Sequence, residues 1–249
     1  MELPDRVVQL WTVRLLVSEE ALARLYPLLT KDEKSRAKGF SFLHLQQSFV
    51  LTRGVLRMLL GSYADMAPHA VPLAYGPCGK PTIAIPNHID FNLSHSGTLA
   101  VFAFTNGLEI GIDLEQIRPF SDIQDLASRF FCADEVIELQ NVPPPDRERA
   151  FFLCWTRKEA YLKAIGDGLA TPLDGFAVAL KPDDPARLLH VGYDPKAAEA
   201  WTLHNLELSP GYAGALAYRG APRPVHVFPL LDVDHLLTAL TGFQHGASE

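Results

Sequence analysis

The feature that most constrains the fold is residues 111–168, where a strand pattern and then a helix pattern each carry carboxylates. Asp113 and Glu115 alternate with aliphatic residues, so a strand of period two would put both carboxylates on one face. Glu159 and Lys163 are one helical turn apart, beside an apolar stripe. The strand would therefore offer two hard oxygen ligands and the helix a third, with an ammonium one turn further along.

Each of these clusters also has an ordinary structural explanation. Asp113 and Glu115 could be the solvent-facing side of a half-exposed strand, which a single Asp-x-Glu pattern favours over a metal site by roughly two to one. Glu159 and Lys163 could be a surface ion pair worth a few tenths of a kcal/mol. A third motif at residues 91–96, Phe-Asn-Leu-Ser-His-Ser, changes this balance, because its polar groups suit phosphate or ribose.

The charge of the chain is distributed unevenly. The net charge is −7, but residues 1–108 hold 10 Lys and Arg against 8 Asp and Glu, while residues 109–249 hold 12 against 21. A phosphate-rich ligand would prefer the first part and a cation the second. A cleft between the two would suit a metal-bound polyphosphate.

Composition excludes several classes of protein. A chain of 249 residues with 48% hydrophobic content can bury a sizeable core. The first residues lack the pattern of a signal peptide, and no apolar run approaches the roughly 18 residues of a membrane span. The three cysteines are odd in number and in no Cys-x-x-Cys arrangement, so neither a disulfide nor a zinc site is expected. We predict a cytoplasmic monomer with no nucleic-acid or membrane partner.

Local patterns predict alternating helices and strands. Residues 46–60 have a helical period that ends at Gly61, a candidate C-cap. Asn106-Gly107 predicts a two-residue hairpin between the apolar run of residues 99–104 and the strand of residues 109–114. Asp146 is the expected N-cap of the long helix that follows. Further strands are predicted at residues 7–17, 176–180, 188–192, 201–207 and 212–218, and further helices after Ser18 and at residues 31–38, 123–131 and 233–240.

A weak internal repeat predicts two similar α+β halves. Lys31-Asp32-Glu33, a helix and a small-residue strand at residues 98–104 parallel Ala133-Asp134-Glu135, a helix and the strand at residues 212–218. We place the boundary at the predicted hairpin. The halves are residues 1–108 and residues 109–249.

Four motifs in order resemble one family, the 4′-phosphopantetheinyl transferases of the two-domain, Sfp-like type. The resemblance covers about residues 31–180 and implies two halves related by a pseudo-twofold, with the active site in the cleft between them. It implies a coenzyme A phosphate-binding first half and a second half that holds the metal ligands and the catalytic helix. The motifs are Gly79-Lys80-Pro81, Asn92-Leu93-Ser94-His95-Ser96, Gly111-Ile112-Asp113-Leu114-Glu115, and Trp155-x-x-Lys158-Glu159-Ala160-x-x-Lys163-x-x-Gly166-x-Gly168.

The resemblance implies a holo-[acyl-carrier-protein] synthase activity. The serine of an acyl or peptidyl carrier protein would attack the β-phosphate of coenzyme A and release 3′,5′-ADP. Mg²⁺ would be held by Asp113, Glu115 and Glu159. Glu159 would also serve as general base, and Lys163 would steady the charge on the leaving phosphate. The expected contacts to coenzyme A are Arg36, Arg53, Lys80, Ser94, His95 and Lys163.

Some of these assignments have competing interpretations. The segment around Arg36 would in most proteins be a solvated helix face, and Arg53 on a helix edge is as consistent with a structural role as with binding. A lone His95 would be an ordinary hydrogen-bonded histidine. Two other classes of function fit parts of the pattern: a metal-dependent phosphohydrolase, and a non-catalytic relative that only binds carrier protein or coenzyme A.

Overall fold

A computed structural model describes residues 1–245, apart from residues 17, 87, 120–121, 167, 169–170 and 193, with side chains up to residue 240. Short 3₁₀ helices cover Tyr26–Leu28, Pro68–Ala70 and Leu173–Gly175. The strands are β1 (Val8–Arg14), β2 (Leu73–Tyr75), β3 (Pro81–Ile83), β4 (Ile89–Ser96), β5 (Leu99–Asn106), β6 (Ile110–Gln116), β7 (Phe176–Val178), β8 (Leu188–Val191), β9 (Trp201–Asn205), β10 (Tyr212–Arg219), β11 (Val225–Val227) and β12 (Leu231–Asp232). The α-helices are α1 (Glu19–Leu25), α2 (Lys31–Lys38), α3 (Leu43–Ala64), α4 (Ile123–Phe130), α5 (Ala133–Asn141), α6 (Pro144–Ile165), α7 (Pro195–Glu199) and α8 (Val233–His245).

Two sheets form the frame, and the predicted mixed α+β class is confirmed. The larger has the order β11-β1-β5-β4, with β12 also pairing with β1, and the smaller has the order β6-β10-β9. Strands β11 and β12 run parallel to β1, whereas the other pairs in both sheets are antiparallel. Two hairpins, β2-β3 and β7-β8, lie outside these sheets.

The strand alternation explains how the layers stack. In β5, Phe102 and Phe104 pack against α3, while Val101 on the opposite face packs against the smaller sheet. In β6, Ile112 faces that same layer between the sheets. The smaller sheet in turn packs on α6 through alanines of β10 such as Ala215. The molecule is therefore layered as helices, sheet, sheet and helices, and the second face of β6 points toward α6.

The two parts of the chain repeat one order of elements. Each begins with a strand, β1 or β6, and continues with three helices, a separate hairpin and two further strands; the second part adds the short helix α7 between its hairpin and β9. The first of these strands pairs with the last, β1 with β5 and β6 with β10, and that last strand also pairs with β4 or β9.

The segment after β10 packs on the larger sheet. Strands β11 and β12 extend that sheet beside β1, and Val233 and Leu236 of α8 join its helix-side core. The predicted second half, residues 109–249, therefore includes a terminal segment that lies on the first half. Among the described helices, none combines the length and the apolar character needed to cross a bilayer.

Three local predictions were wrong. The turn at Asn106-Gly107 does not join a hairpin: Gly107 has the expected positive φ, but β5 pairs with β4 and β1, and the chain then enters the other sheet. The hairpin closes at Gly97 instead, between β4 and β5. Helix α3 runs past Gly61 to Asp65, the C-cap in the left-handed conformation. Helix α6 starts at Pro144, so Asp146 lies in its first turn.

Candidate active site

Strand β6 brings Asp113 and Glu115 to the face that looks toward α6. Ile112 and Leu114 are fully buried on the other side, which confirms the predicted alternation. Asp113 is only 4% exposed, so the alternative of a solvent-facing strand does not hold for it. A buried carboxylate of this kind must be paired, hydrogen-bonded or bound to a cation.

Helix α6 approaches β6 unusually closely at Gly111. A Cβ atom there would lie 2.0 Å from the Ala160 carbonyl oxygen and 2.3 Å from the Ala164 nitrogen, so only glycine fits. The close approach brings the last turns of α6 against the carboxylate face of β6. Gly111 is therefore the residue that places Glu159 and Lys163 next to Asp113.

Lys163 reaches across this contact to the strand. Its Nζ lies 2.6 Å from Asp113 Oδ1 and donates a hydrogen bond to Ser94 Oγ at 3.2 Å. Ser94 Oγ donates to the same Asp113 oxygen at 2.9 Å. The second oxygen, Asp113 Oδ2, is buried and has no hydrogen-bond partner. Lys163 is therefore not simply the partner of Glu159 in a surface ion pair.

The carboxyl groups of Glu159 and Glu115 both have a raised pKa. Burial raises the pKa of Glu159, Asp113 and Glu115 raise it further, and Lys163 opposes them. Burial also raises the pKa of Glu115; the Ser96 hydroxyl, which donates to its Oε2 at 2.8 Å, acts in the opposite direction. A cation bound beside neighbouring carboxylates of this kind would stabilise their charged forms.

The carboxylates of Asp113, Glu115 and Glu159 are chemically suited to bind the predicted Mg²⁺. They are hard oxygen donors, and Asp113 Oδ2 lacks a partner. Among the described residues, no group of three or more His, Cys, Asp or Glu side chains has the arrangement needed to hold a metal ion. The ammonium of Lys163 lies 2.6 Å from the other oxygen of the Asp113 carboxylate, Oδ1.

A pocket next to these carboxylates gathers most of the predicted coenzyme A contacts. Its wall combines residues of both parts of the chain: Arg53, Cys78, Gly79, Lys80, Pro81, Asn92, Leu93, Ser94, His95, Leu162, Lys163, Gly166 and Gly168. Burial lowers the pKa of the His95 ring, and the positive charge of Lys163 lowers it further. His95 is thus predominantly neutral near pH 7 and can donate or accept a hydrogen bond in the pocket.

Lys80 lies in the pocket wall and also joins two elements. Its Nζ donates to the carbonyl oxygen of Ile110 at 3.0 Å and to that of Lys163 at 2.7 Å. Burial lowers the pKa of this ammonium, while Glu109 and Asp90 raise it. Lys80 therefore fastens the start of β6 to the end of α6, next to the carboxylates.

The two predicted arginines differ in position. Arg53 is only 8% exposed, lines the pocket and leaves Nη1 without a hydrogen-bond partner. Arg36 is exposed and lies outside this pocket, in a neighbouring one with His69 and Tyr75. Both guanidinium groups lie over the ring of Phe49, at 5.6 Å and 5.4 Å from its centroid, so they belong to one basic surface.

The sequence analysis gave Asn92 and Ser96 only the general expectation that the polar groups of residues 91–96 suit phosphate or ribose, and gave Gly111 no individual role. Asn92 Oδ1 accepts the Ile112 N–H at 2.9 Å, and Ser96 Oγ accepts the Gln116 N–H at 3.1 Å while donating to Glu115. The signal for these contacts is the polar residue at every second position of β4. Which strand those positions face depends on how the two sheets pack.

Comparison with known proteins places the chain in a family. A family model described as the 4′-phosphopantetheinyl transferase superfamily matches residues 109–217. The 4′-phosphopantetheinyl transferase HetI of Nostoc sp. is 39% identical over 216 residues, which cover 86% of this chain and 88% of that protein. A 4′-phosphopantetheinyl transferase of Bacillus subtilis is 32% identical over 69% of this chain and 76% of its own. The holo-[acyl-carrier-protein] synthase structure of Thermotoga maritima aligns with 46% of this chain and 65% of its own, with a TM-score of 0.36 and 19% identity.

The chain belongs to the 4′-phosphopantetheinyl transferase superfamily. This conclusion rests on the extent and identity of the match to the Nostoc protein, which spans both parts of the chain.

Proposed function

We propose that this protein transfers the 4′-phosphopantetheine arm of coenzyme A to a serine of an acyl or peptidyl carrier protein. The observation that carries the proposal is the pocket in which Arg53, Lys80 and His95 face Lys163, directly beside the carboxylate of Asp113. Basic and polar groups suit the phosphates of coenzyme A, and the carboxylates beside them suit a cation. Family membership supplies the reaction that joins these two features.

In this proposal Asp113, Glu115 and Glu159 hold Mg²⁺. The partnerless Oδ2 of Asp113 and the raised pKa values of the other two carboxyl groups support the assignment. When bound, Mg²⁺ supplies neutralisation of the pyrophosphate charge. Lys163 contributes a further positive charge beside the same oxygens.

The reaction exchanges one bond to phosphorus for another. The serine oxygen forms a bond to the β-phosphorus, the bond from that phosphorus to the bridging oxygen breaks, and 3′,5′-ADP leaves with the electron pair. Glu159 accepts the proton of the serine as general base. Lys163 stabilises the charge that develops on the leaving phosphate.

The remaining predicted contacts form two groups, one for the pyrophosphate of coenzyme A and one for the phosphate at its ribose 3′ position. Lys80 and His95, with Ser94 between them and the carboxylates, lie where the pyrophosphate would approach Asp113. Arg53 and Arg36, which share the ring of Phe49, form the basic surface for the phosphate at the ribose 3′ position. The unpartnered Nη1 of Arg53 supports this role.

We further propose that the two halves are related by a pseudo-twofold, with this site in the cleft between them. The repeated order of elements and the matching strand orders support the relation. The first half, residues 1–108, binds coenzyme A phosphates, and the second, residues 109–249, supplies the metal ligands and the catalytic helix. We place this monomeric enzyme in the cytoplasm, in keeping with three cysteines in no Cys-x-x-Cys arrangement.

The test is mass spectrometry of several apo carrier proteins incubated with the enzyme, coenzyme A and Mg²⁺. The proposal expects a gain of one phosphopantetheine on the acceptor serine, release of 3′,5′-ADP and no gain when Mg²⁺ is removed with EDTA. Release of phosphate from coenzyme A without any carrier would indicate a phosphohydrolase. Tight binding of carrier or coenzyme A with no product would indicate a binding protein.

A further inference from the structure

Three polar side chains of β4 face β6 at every second position. Asn92 Oδ1 accepts the Ile112 N–H at 2.9 Å, Ser94 Oγ lies 2.9 Å from Asp113 Oδ1, and Ser96 Oγ lies 2.8 Å from Glu115 Oε2. Strand β4 pairs with β5 on its other side, and β6 pairs with β10. Side chains of β4 thus join the two strands where the two sheets meet.

The direction of each serine hydroxyl is fixed by its other partner. Ser96 Oγ accepts the backbone N–H of Gln116 at 3.1 Å, and Ser94 Oγ accepts from the ammonium of Lys163 at 3.2 Å. With one lone pair engaged in this way, each hydroxyl can place its own proton on the neighbouring carboxylate. A hydrogen bond to a charged acceptor is stronger than one between neutral groups.

The turn after Ser96 is built to allow this contact. Gly97 has φ +56°, and a Cβ there would lie 2.5 Å from Gln116 Oε1 and 2.8 Å from Tyr212 Oη. The positive φ favours glycine at this turn, which brings Ser96 next to the end of β6.

We propose that Ser96 is a positioning residue: it holds the Glu115 carboxylate in the orientation that binds the metal, as Ser94 holds Asp113. The inference rests on the proposed function and adds a residue to that site. Each serine donates to one oxygen of its carboxylate and leaves the other oxygen for a ligand. In Asp113 that other oxygen, Oδ2, is buried and has no hydrogen-bond partner. Groups that orient metal ligands from behind typically change metal affinity by 10- to 100-fold when removed.

The test compares Mn²⁺ binding, followed by the electron paramagnetic resonance signal of free Mn²⁺ with coenzyme A at saturation, in wild type and variants. Ser96→Ala is expected to weaken Mn²⁺ binding at least about tenfold and to raise the Mg²⁺ concentration for half-maximal transfer by the same factor. The KM for the carrier protein should stay within about twofold of wild type. Ser96→Thr, which keeps the hydroxyl, should restore Mn²⁺ affinity.

Thr98→Ala is the matched control, since Thr98 lies on the same hairpin and its hydroxyl bonds only to Tyr212 Oη among the described contacts. It should bind Mn²⁺ as wild type does. A folded Ser96→Ala protein loses the hydrogen bonds to Glu115 and from the Gln116 N–H, and it should melt within about 4–8 °C of wild type, the scale expected for two hydrogen bonds in a chain of this size.

Wild-type Mn²⁺ affinity in a folded Ser96→Ala protein would overturn the inference. If that variant does not fold, Ser96→Cys decides the question: its thiol is a weak donor, so affinity should again fall, and unchanged affinity would overturn the inference equally. A wild-type protein that transfers no phosphopantetheine, or binds no Mn²⁺, would instead defeat the proposed function.

Discussion

The two long helices, α3 and α6, show how one scaffold serves two purposes. Both have 22 residues, and both carry at their fifteenth position a buried cation, Arg57 or Lys158. Each cation pairs with a buried glutamate of the preceding helix, at 2.6 Å for Arg57–Glu33 and 2.8 Å for Lys158–Glu135.

The glutamates also match in detail. Glu33 accepts the backbone N–H of Thr30, the N-cap of α2, and Glu135 accepts that of Cys132, the N-cap of α5. Each is thus both the third residue of a capping box and the partner of a buried cation.

The difference begins one residue further along each helix. In α6 the cation is followed by Glu159 and, one turn later, Lys163; in α3 the same positions are Met58 and Ser62. Met58 is buried, and the Ser62 hydroxyl donates to the Met58 carbonyl within the helix. The comparison separates framework from chemistry: the buried ion pair belongs to both helices, whereas the proposed general base Glu159 and the ammonium of Lys163 belong to α6 alone.

The largest expected effect is on stability and should be similar in the two halves. Glu33→Gln and Glu135→Gln each leave a buried cation without its anion, which costs about 3–5 kcal/mol. Urea unfolding measures both. The kcat at saturating coenzyme A, measured where both variants are folded, should fall only for Glu135→Gln, because Lys158 directly precedes Glu159. Glu33→Gln also removes the carboxylate that lies 3.6 Å from Arg53 Nε, so its effect on activity should be confined to the KM for coenzyme A. Equal loss of kcat in both variants would show that the helices are not specialised in this way.

The next effect distinguishes the helices by chemistry. Glu159→Gln keeps the shape of the side chain but removes its charge and its capacity as a base, so kcat should fall at least roughly a hundredfold. Met58→Gln, at the matching position of α3, is the control and should keep a kcat within about twofold of wild type once folded. Near-normal turnover in Glu159→Gln would remove this residue from the mechanism.

Sequence reasoning succeeded where the determinants are local. The alternation around Asp113 and the helix that begins after Ser18 follow from neighbouring residues. It failed where the partner is distant. Asn106-Gly107 has turn geometry, but whether the next strand returns to the same sheet depends on tertiary packing. Likewise, the pairing of Lys163 with Asp113 depends on a helix approaching Gly111, which no spacing in the sequence reveals.

A smaller effect is expected at His95, which lines the pocket from the first half. His95→Ala should remove one hydrogen bond of a neutral ring to coenzyme A, worth about 1 kcal/mol, and so raise the KM for coenzyme A roughly fivefold. Steady-state kinetics with each substrate varied in turn makes this measurement. The KM for the carrier protein is the internal control. An equal change in both KM values would give His95 a structural role only.

The smallest effect is a pH dependence of stability that only the second helix should show. The raised pKa of Glu159, due first to burial and then to Asp113, means that the folded state binds its proton more tightly than the unfolded state. Between the two pKa values stability therefore falls as pH rises. The charge of Glu115 raises the pKa of Glu159 and so steepens this pH dependence, whereas the charge of Lys163 lowers that pKa and weakens the dependence. In urea unfolding with EDTA from about pH 4.5 upward, wild type should lose stability relative to Glu159→Gln; a constant difference would contradict the assigned environment.

If the carboxylates of the second half hold the metal, and the matching positions of the first do not, an anomalous difference map will locate the ion. Crystals grown with coenzyme A and Mn²⁺ should show a single strong peak about 2.1 Å from oxygens of Asp113, Glu115 and Glu159. A peak bound to other side chains, or a fully loaded coenzyme A complex in which these carboxylates contact no metal, would contradict this assignment.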